Sequence, residues 1–453
     1  MKIHTSIFKD YDIRGVYPDE INGSVARQVG YAIMHTFHPK TIAICRDMRL
    51  SGKELFDGLS QAFISCGCSV YDAGLTGTEQ AYFISGTYTY DMTIMISASH
   101  NPAPYNGLKI VLRGPIAISG DTGLYDIKSA LNLSPPKNTG NVGHKEEINV
   151  YNDWKEKIYS LIDVSAVKPL HVIADAGNGM GGKLISYMSS EIPVKLTSLN
   201  FEPDGNFPNH VPNPLIPSNN IELIKTVIRT KADIGLAFDG DADRVFFIDD
   251  TGRFVSGTLV TALLAKFMLE KHPGNYVLYS AVCGRIVPQI ITKYGGRPVR
   301  VRVGHSFMKN YMKKYNAIFA GEHSGHYYYH DYFNSESGIL TSLIMLTLIS
   351  KENKKLSEML REVDVYPSSG EINFKINDIS LTMSSIRKQF HNADSIDDLD
   401  GLSIWYKDYW INIRASKTEP LLRLNIEADT QEILEDKTTS IIHYLEKMGG
   451  ILQ

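Results

Sequence analysis

Over its first 133 residues the chain alternates short β-branched runs with stretches whose apolar residues share one helical face. Thr41-Ile42-Ala43-Ile44-Cys45 and Met92-Thr93-Ile94-Met95 have the length and branching of buried strands. Between them, Leu55, Leu59, Phe63 and Ile64 predict a helix over 53–64. Such alternation predicts a parallel sheet with crossover helices. Ser134-Pro135-Pro136-Lys137-Asn138-Thr139-Gly140 then has the composition of a linker. Beyond it, a helix opens near Asn152 with Trp154, Ile158, Leu161 and Ile162 on one face, and His171-Val172-Ile173-Ala174 reads as a buried strand. A third block, from about Gly252, holds an amphipathic helix over 259–270 that Pro273-Gly274 stops. The turn cluster Pro367-Ser368-Ser369-Gly370 separates a last stretch of mixed order. Its pattern is strand, helix, a hairpin at Lys407-Asp408, a strand over 421–426 and a helix over 431–448. No repeat of residue identity and no low-complexity segment is visible. These breaks predict an α/β protein of three successive mixed α/β domains, over 1–150, 151–250 and 251–366. A smaller C-terminal α+β domain follows over 367–453.

A length of 453 residues accommodates four such domains. The 46 basic and 50 acidic residues nearly cancel, which argues against a nucleic-acid or membrane-surface binder. The apolar run 339–349 is too short to span a bilayer and suits a core helix. Cys45, Cys66, Cys68 and Cys283 form neither a disulfide framework nor a C-x-x-C redox motif, so all four read as reduced, mostly buried thiols. Lys2, His4, Lys9, Asp10 and Asp12 interrupt any signal-like apolar segment, and a cytoplasmic location is expected.

Chemistry concentrates in four loops. The strand ending at Met95 runs into Ile96-Ser97-Ala98-Ser99-His100-Asn101-Pro102, whose small polar residues and Asn-Pro must turn the backbone and lift Ser99 off the sheet. Tyr105-Asn106-Gly107-Leu108-Lys109 brings a cation back to the same end. Asp239-Gly240-Asp241-Ala242-Asp243-Arg244 lies between two strand-like flanks. Three alternate carboxylates repel unless a cation joins them, and a hard ion such as Mg²⁺ is the natural occupant. An EF-hand would need Gly at Arg244, Glu at Asp250 and helical flanks; a plain acidic turn is the competing reading. Gly321-Glu322-His323-Ser324-Gly325-His326 offers groups for vicinal sugar hydroxyls rather than zinc spacing. Arg414-Ala415-Ser416-Lys417-Thr418-Glu419-Pro420, with Arg423 beyond, is either a cradle for a dianionic phosphate or a solvated basic hairpin. Gly177-Asn178-Gly179-Met180-Gly181-Gly182 reads as a tight glycine turn in preference to a dinucleotide fingerprint. No Walker motif occurs, which counts against an ATP-using kinase.

Together these stretches resemble the α-D-phosphohexomutase superfamily, and within it the bacterial phosphomannomutase/phosphoglucomutase group. The resemblance runs in order through Phe8-Lys9-Asp10-Tyr11-Asp12-Ile13-Arg14-Gly15, Arg46-Asp47-Met48-Arg49-Leu50-Ser51 and the serine loop. It continues through Pro203-Asp204-Gly205-Asn206-Phe207-Pro208-Asn209-His210, the Asp triplet, Gly304-His305-Ser306-Phe307-Met308-Lys309, and the Glu322 and Arg414 loops. It implies four domains around a central cleft and a hexose 6-phosphate/1-phosphate mutase working through a phosphoserine and a hexose 1,6-bisphosphate. Ser99 would carry the phosphoryl group, with Asp239, Asp241 and Asp243 holding Mg²⁺ that also touches the Ser99 phosphate. Lys109, Arg14 and Arg244 would steady transition-state charge or handle protons near the reacting hydroxyl, with His305 as a further catalytic residue. Glu322 and Ser324 would grip the sugar's 3- and 4-hydroxyls. Tyr11, His326, Arg414, Ser416, Lys417, Thr418 and Arg423 would complete substrate binding.

Glucose and mannose differ only at C2, so a grip on O3 and O4 predicts activity on both. The partners implied are small sugar phosphates, acting on a monomer or weak dimer. Two departures from the family that the chain resembles bear on sugar preference: no lysine lies in Ala281-Val282-Cys283-Gly284-Arg285, where some relatives carry one and Arg285 can substitute, and Lys417 and Glu419 differ from the smaller residues of some relatives' phosphate loop. The phosphoglucosamine branch ranks second. An NAD-dependent dehydrogenase on the Gly177 turn, or a non-catalytic sugar-phosphate sensor, would be the reading from another class.

Overall fold

The computed structural model describes residues 3–137, 140, 142–416 and 421–453, arranged as two compact units. One comprises 1–256 with 324–358; the other comprises 257–323 with 359–453.

In the first unit, Thr41–Arg46 pairs in parallel with Ser69–Leu75 and with Met92–Ile96, as the alternation predicts. The sheet is nevertheless mixed. Tyr105–Leu112 runs antiparallel to Met92–Ile96, and Ile13–Val16 runs antiparallel to Tyr105–Leu112. The reason is loop length: the segment from Ser97 to Pro104 is too short for a crossover, so the chain can only return as a hairpin. Helices Gly23–Phe37 and Gly52–Ser65 pack closely because small residues face each other; a Cβ on Gly30 would lie 2.7 Å from that of Ala62. Helix Thr78–Thr87 left no amphipathic signature because every residue from Thr78 to Ser85 is buried.

The second sheet repeats this plan. Leu170–Asp175, Val194–Leu199 and Ile234–Phe238 are parallel, and Val245–Ile248 returns antiparallel to Ile234–Phe238. Both the serine loop and the Asp loop thus follow the carboxyl end of a fully buried strand and lead into an antiparallel one. Helix Gly338–Glu352 is the core helix expected from the apolar run, buried from Gly338 to Ser350. Among the described residues no helix is long and apolar enough to cross a membrane. The cysteines are free, and burial pushes the Cys45 and Cys68 thiols up to about 12 and Cys283 to about 11.

In the other unit, Arg297–Val301, Tyr276–Ser280 and Phe319–Gly321 form a parallel set. The helix expected over 259–270 spans Gly257–Lys271 and is buried nearly all round, apart from its last turn, because it packs on both helix Ile286–Lys293 and strand Phe319–Gly321. The C-terminal sheet is antiparallel throughout. Its order is Ser395–Asp397, Leu402–Trp405, Tyr409–Ala415, Leu421–Ala428, Ile372–Lys375, Ile451–Leu452. Helices Ile379–Gln389 and Gln431–Lys447 accompany it, and the hairpin falls at Lys407-Asp408.

Candidate active site

Ser99 and the Asp loop meet within the first unit. The Ser99 hydroxyl donates to Asp239 Oδ2 at 2.7 Å and accepts from Arg244 Nη2 at 3.2 Å, and its amide donates to Ser97 Oγ at 2.8 Å. A non-glycine residue at φ +49 costs on the order of 1–3 kcal/mol, so the fold holds Ser99 in a conformation it would not choose alone. Gly240 makes the approach possible: a Cβ there would stand 2.5 Å from the Ser99 carbonyl oxygen.

Lys109 lies mid-strand, opposite Met95, yet its Nζ reaches Asp241 Oδ2 and Asp243 Oδ2, both at 2.7 Å. Asp241 Oδ2 also accepts from Thr78 Oγ1 at 2.5 Å and Ser97 Oγ at 3.1 Å. Arg244 Nε donates to Asp239 Oδ2 at 2.9 Å, and His326 Nε2 stands 3.5 Å from Asp243 Oδ1. Ser324 Oγ lies 2.9 Å from His326 Nδ1. Arg14 bonds Asn101 Oδ1 at 2.6 Å and Asp12 at 2.5 Å, which places it against the serine loop, and Tyr11 is half-buried just before its strand.

Burial disfavours charge on Lys109, Arg244 and the three aspartates. For Lys109 it is overcome by Asp241 and Asp243, which hold the ammonium above its ordinary value. Asp243 is buried too, but Lys109, His326 and Arg244 keep it well below the carboxylate range. Asp239 is pushed up by burial, against Arg244 and with the neighbouring carboxylates. Lys109 and Arg244 supply two cations for three carboxylates, so the pocket retains net negative charge. The ligand oxygens of Asp239, Asp241 and Asp243 lie within 4.8 Å of one another. Asp241 Oδ1 is buried with no hydrogen-bond partner among the described residues. All-oxygen donors, residual negative charge and an unsatisfied buried oxygen together fit a hard divalent cation.

The other unit carries a second group of predicted residues. Glu322 is buried at the carboxyl end of strand Phe319–Gly321, and its Oε1 accepts from the Gly304 amide at 3.2 Å. His305 opens helix His305–Tyr315. Arg414 and Arg423 are cross-strand partners, and Glu371 stands 3.4 Å from each guanidinium. Burial lowers the His323 imidazole, with Glu371 opposing that shift and Arg414 reinforcing it. Ser416 follows strand Tyr409–Ala415 and its amide donates to Leu421 O at 2.8 Å; Lys417 and Thr418 lie outside the described residues.

Family models cover this chain in four consecutive pieces. Phosphoglucomutase/phosphomannomutase α/β/α domains I, II and III match residues 5–132, 151–252 and 256–366, and the C-terminal domain matches 371–441. The chain belongs to the phosphoglucomutase/phosphomannomutase family. It is 35% identical to a phosphomannomutase of Escherichia coli (strain K12) over 450 residues, covering 97% of this chain and 99% of that one. It is likewise 35% identical to a protein named phosphohexose mutases from Xanthomonas campestris pv. campestris, over 97% of this chain and 98% of that one. A crystal structure of a phosphoglucomutase/phosphomannomutase family protein from Burkholderia thailandensis matches with a TM-score of 0.91 at 30% identity, covering all of both chains.

Within this phosphohexomutase framework the Gly177 turn is structural. Asp175 Oδ1 accepts from the Gly177 amide at 2.9 Å, and Cβ atoms on Gly177 and Gly179 would press on Pro212 and Gly240. Its role is to back the Asp loop, since Met180 N donates to Gly240 O at 2.8 Å. Thr78, which with Ser97 of the serine loop fixes Asp241, drew no attention in the sequence because an isolated hydroxyl residue carries no spacing signal.

Proposed function

We propose that this phosphohexomutase interconverts the 6-phosphate and 1-phosphate of mannose, and also of glucose, through a phosphoserine at Ser99 and a hexose 1,6-bisphosphate. The observation that carries the reading is the 2.7 Å contact between Ser99 Oγ and Asp239 in a pocket that also holds Lys109, Arg244 and the other two aspartates. Phosphoryl transfer asks for in-line positioning and neutralised charge more than for covalent chemistry by the protein. In this reading Asp239 would take the Ser99 proton, Arg244 would steady the oxygen left behind, and Lys109 would hold Asp241 and Asp243, which the contacts among these groups support. Asp239, Asp241 and Asp243 would hold Mg²⁺, which when bound supplies Lewis-acid polarisation of a phosphoryl oxygen. Arg14, beside the loop, and His305 are assigned to the reacting hydroxyl; Tyr11, Glu322, Ser324 and His326 to the sugar.

Arg414 and Arg423, cross-strand partners that both approach Glu371, would hold the phosphate that is not being transferred, and Ser416, Lys417 and Thr418 complete that cradle in the proposal. The decisive comparison assays mannose 1-phosphate, glucose 1-phosphate and glucosamine 6-phosphate with Mg²⁺ and a trace of bisphosphate. Turnover of the first two and little of the third is expected. Turnover of glucosamine 6-phosphate alone would assign the chain to the other branch.

A further inference from the structure

We propose that Arg49 is the positioning residue of the serine loop: its guanidinium is the hub around which residues 99–105 fold, and it holds Ser99 Oγ against Asp239. The inference rests on the reading of Ser99 as the phosphoryl carrier. Four carbonyl oxygens converge on this one side chain. Arg49 Nη2 donates to Ser99 O at 2.8 Å and Asn101 O at 2.6 Å, and Nη1 to Pro102 O at 2.9 Å and Tyr105 O at 2.8 Å. Carbonyl dipoles aimed at a common point repel, so this loop conformation requires a cation with several donors at its centre. A planar fork supplies them in fixed directions; a lysine ammonium has three donors and no fixed plane.

The fork is itself held on every side. Nε stands 3.3 Å from Asp47 Oδ2, and Asp47 Oδ1 accepts from the Arg49 amide at 3.0 Å. Asp47 N in turn donates to Ile96 O at 3.0 Å, tying the turn to the strand that delivers the serine. The guanidinium carbon lies 5.1 Å from the Phe207 ring centroid. Gly205 closes from the same side, where a Cβ would meet Leu50 N at 2.7 Å. The Arg49 side chain is fully buried, as is that of Asp47. Burial lowers the Arg49 guanidinium and raises the Asp47 carboxyl from their ordinary values, and the attraction between the two opposes both shifts. Two motifs that had no chemical role of their own, 46–51 and 203–210, therefore converge on one task. That task is to hold Ser99 at φ +49 with its hydroxyl on the Asp loop.

A group that acts through the loop and not on the sugar should alter kcat and leave KM alone. Arg49→Lys is expected to lower kcat by about tenfold to a hundredfold, the cost of a misplacement of about 1 Å, with KM for the hexose phosphate within about twofold of wild type. Arg49→Ala should lose more, and added guanidinium at a non-denaturing concentration should restore part of its kcat. Ser99→Ala, assayed in parallel, should be inactive and show no such rescue. Wild-type kcat in Arg49→Lys, a rise confined to KM, or a kcat loss in folded Arg49→Ala that guanidinium leaves untouched would each overturn the inference. If Arg49→Ala does not fold, the kcat and KM of Arg49→Lys decide. Should Ser99→Ala itself turn over like wild type, the relay reading falls instead, so the two failures are distinguishable.

Discussion

Ser99 and Arg414 each meet a phosphoryl group in the proposed reaction, yet their surroundings differ in kind. Around Ser99, Lys109, Arg244, Thr78 and Ser97 fix the three carboxylates in a buried cluster that leaves Asp241 Oδ1 without a hydrogen bond among the described residues. Arg414 and Arg423 instead face each other across adjacent strands, with Glu371 3.4 Å from each guanidinium. In the proposed reaction the first region would serve the transition state and the second would hold the phosphate that is not being transferred. Differential binding then divides the labour, with the first region setting kcat and the second setting KM.

The largest effect that could break this contrast is metal withdrawal. Exhaustive chelation should abolish turnover and Mg²⁺ restore it, because three buried carboxylates with two cations cannot stabilise a dianionic phosphate. Turnover that survives in metal-free protein would detach the Asp loop from the chemistry. Next, Ser99→Ala should lower mutase turnover by roughly a thousandfold or more, with little change in sugar-phosphate binding. Lys109→Met removes the cation that holds both Asp241 and Asp243, and a kcat loss of about a hundredfold is expected. On the other side of the comparison, Arg414→Ala should raise KM by about tenfold and leave kcat near wild type, since a static phosphate contact acts equally in ground and transition states. A kcat loss as large as that of Lys109→Met would erase the distinction.

The smallest effect concerns stability. Burial opposes charge on His210, but the hydrogen bond to Asp175 at 3.1 Å and that to Val211 O outweigh it and raise the imidazole above 6.5. A histidine raised in the folded state contributes stability that is complete below 6.5 and is lost as pH rises through the folded value. His210→Gln should therefore lower the urea midpoint by the equivalent of about 1 kcal/mol near pH 6 and by less near pH 9. An equal loss at both pH values would mean that the imidazole is neutral there.

Local spacing was legible; contact between distant segments was not. Asp239, Asp241 and Asp243 declared a cation site because their repulsion is encoded within five residues. The buried strands and the core helix over 338–352 were legible for the same reason, since an unbroken apolar run has few alternatives. Parallel pairing was overestimated because alternation of strand and helix says nothing about the short turn after Ser99, which forces an antiparallel return. The pairing of Ser99 with Asp239 spans 140 residues and was reachable only through the family resemblance. Arg49 entered the sequence reading only within the 46–51 stretch of the resemblance, with no role of its own, because its four carbonyl partners lie about 50 residues away. Helix Thr78–Thr87 was silent because burial on all sides removes the periodicity that sequence reading depends on.

A chase experiment addresses the relay itself. Protein labelled with hexose 1,6-bisphosphate carrying a radioactive phosphate, then mixed with unlabelled hexose 6-phosphate, should first carry the label on a peptide containing Ser99. The label should pass to sugar at the rate of turnover. Full turnover with no label on that peptide would contradict the phosphoserine mechanism.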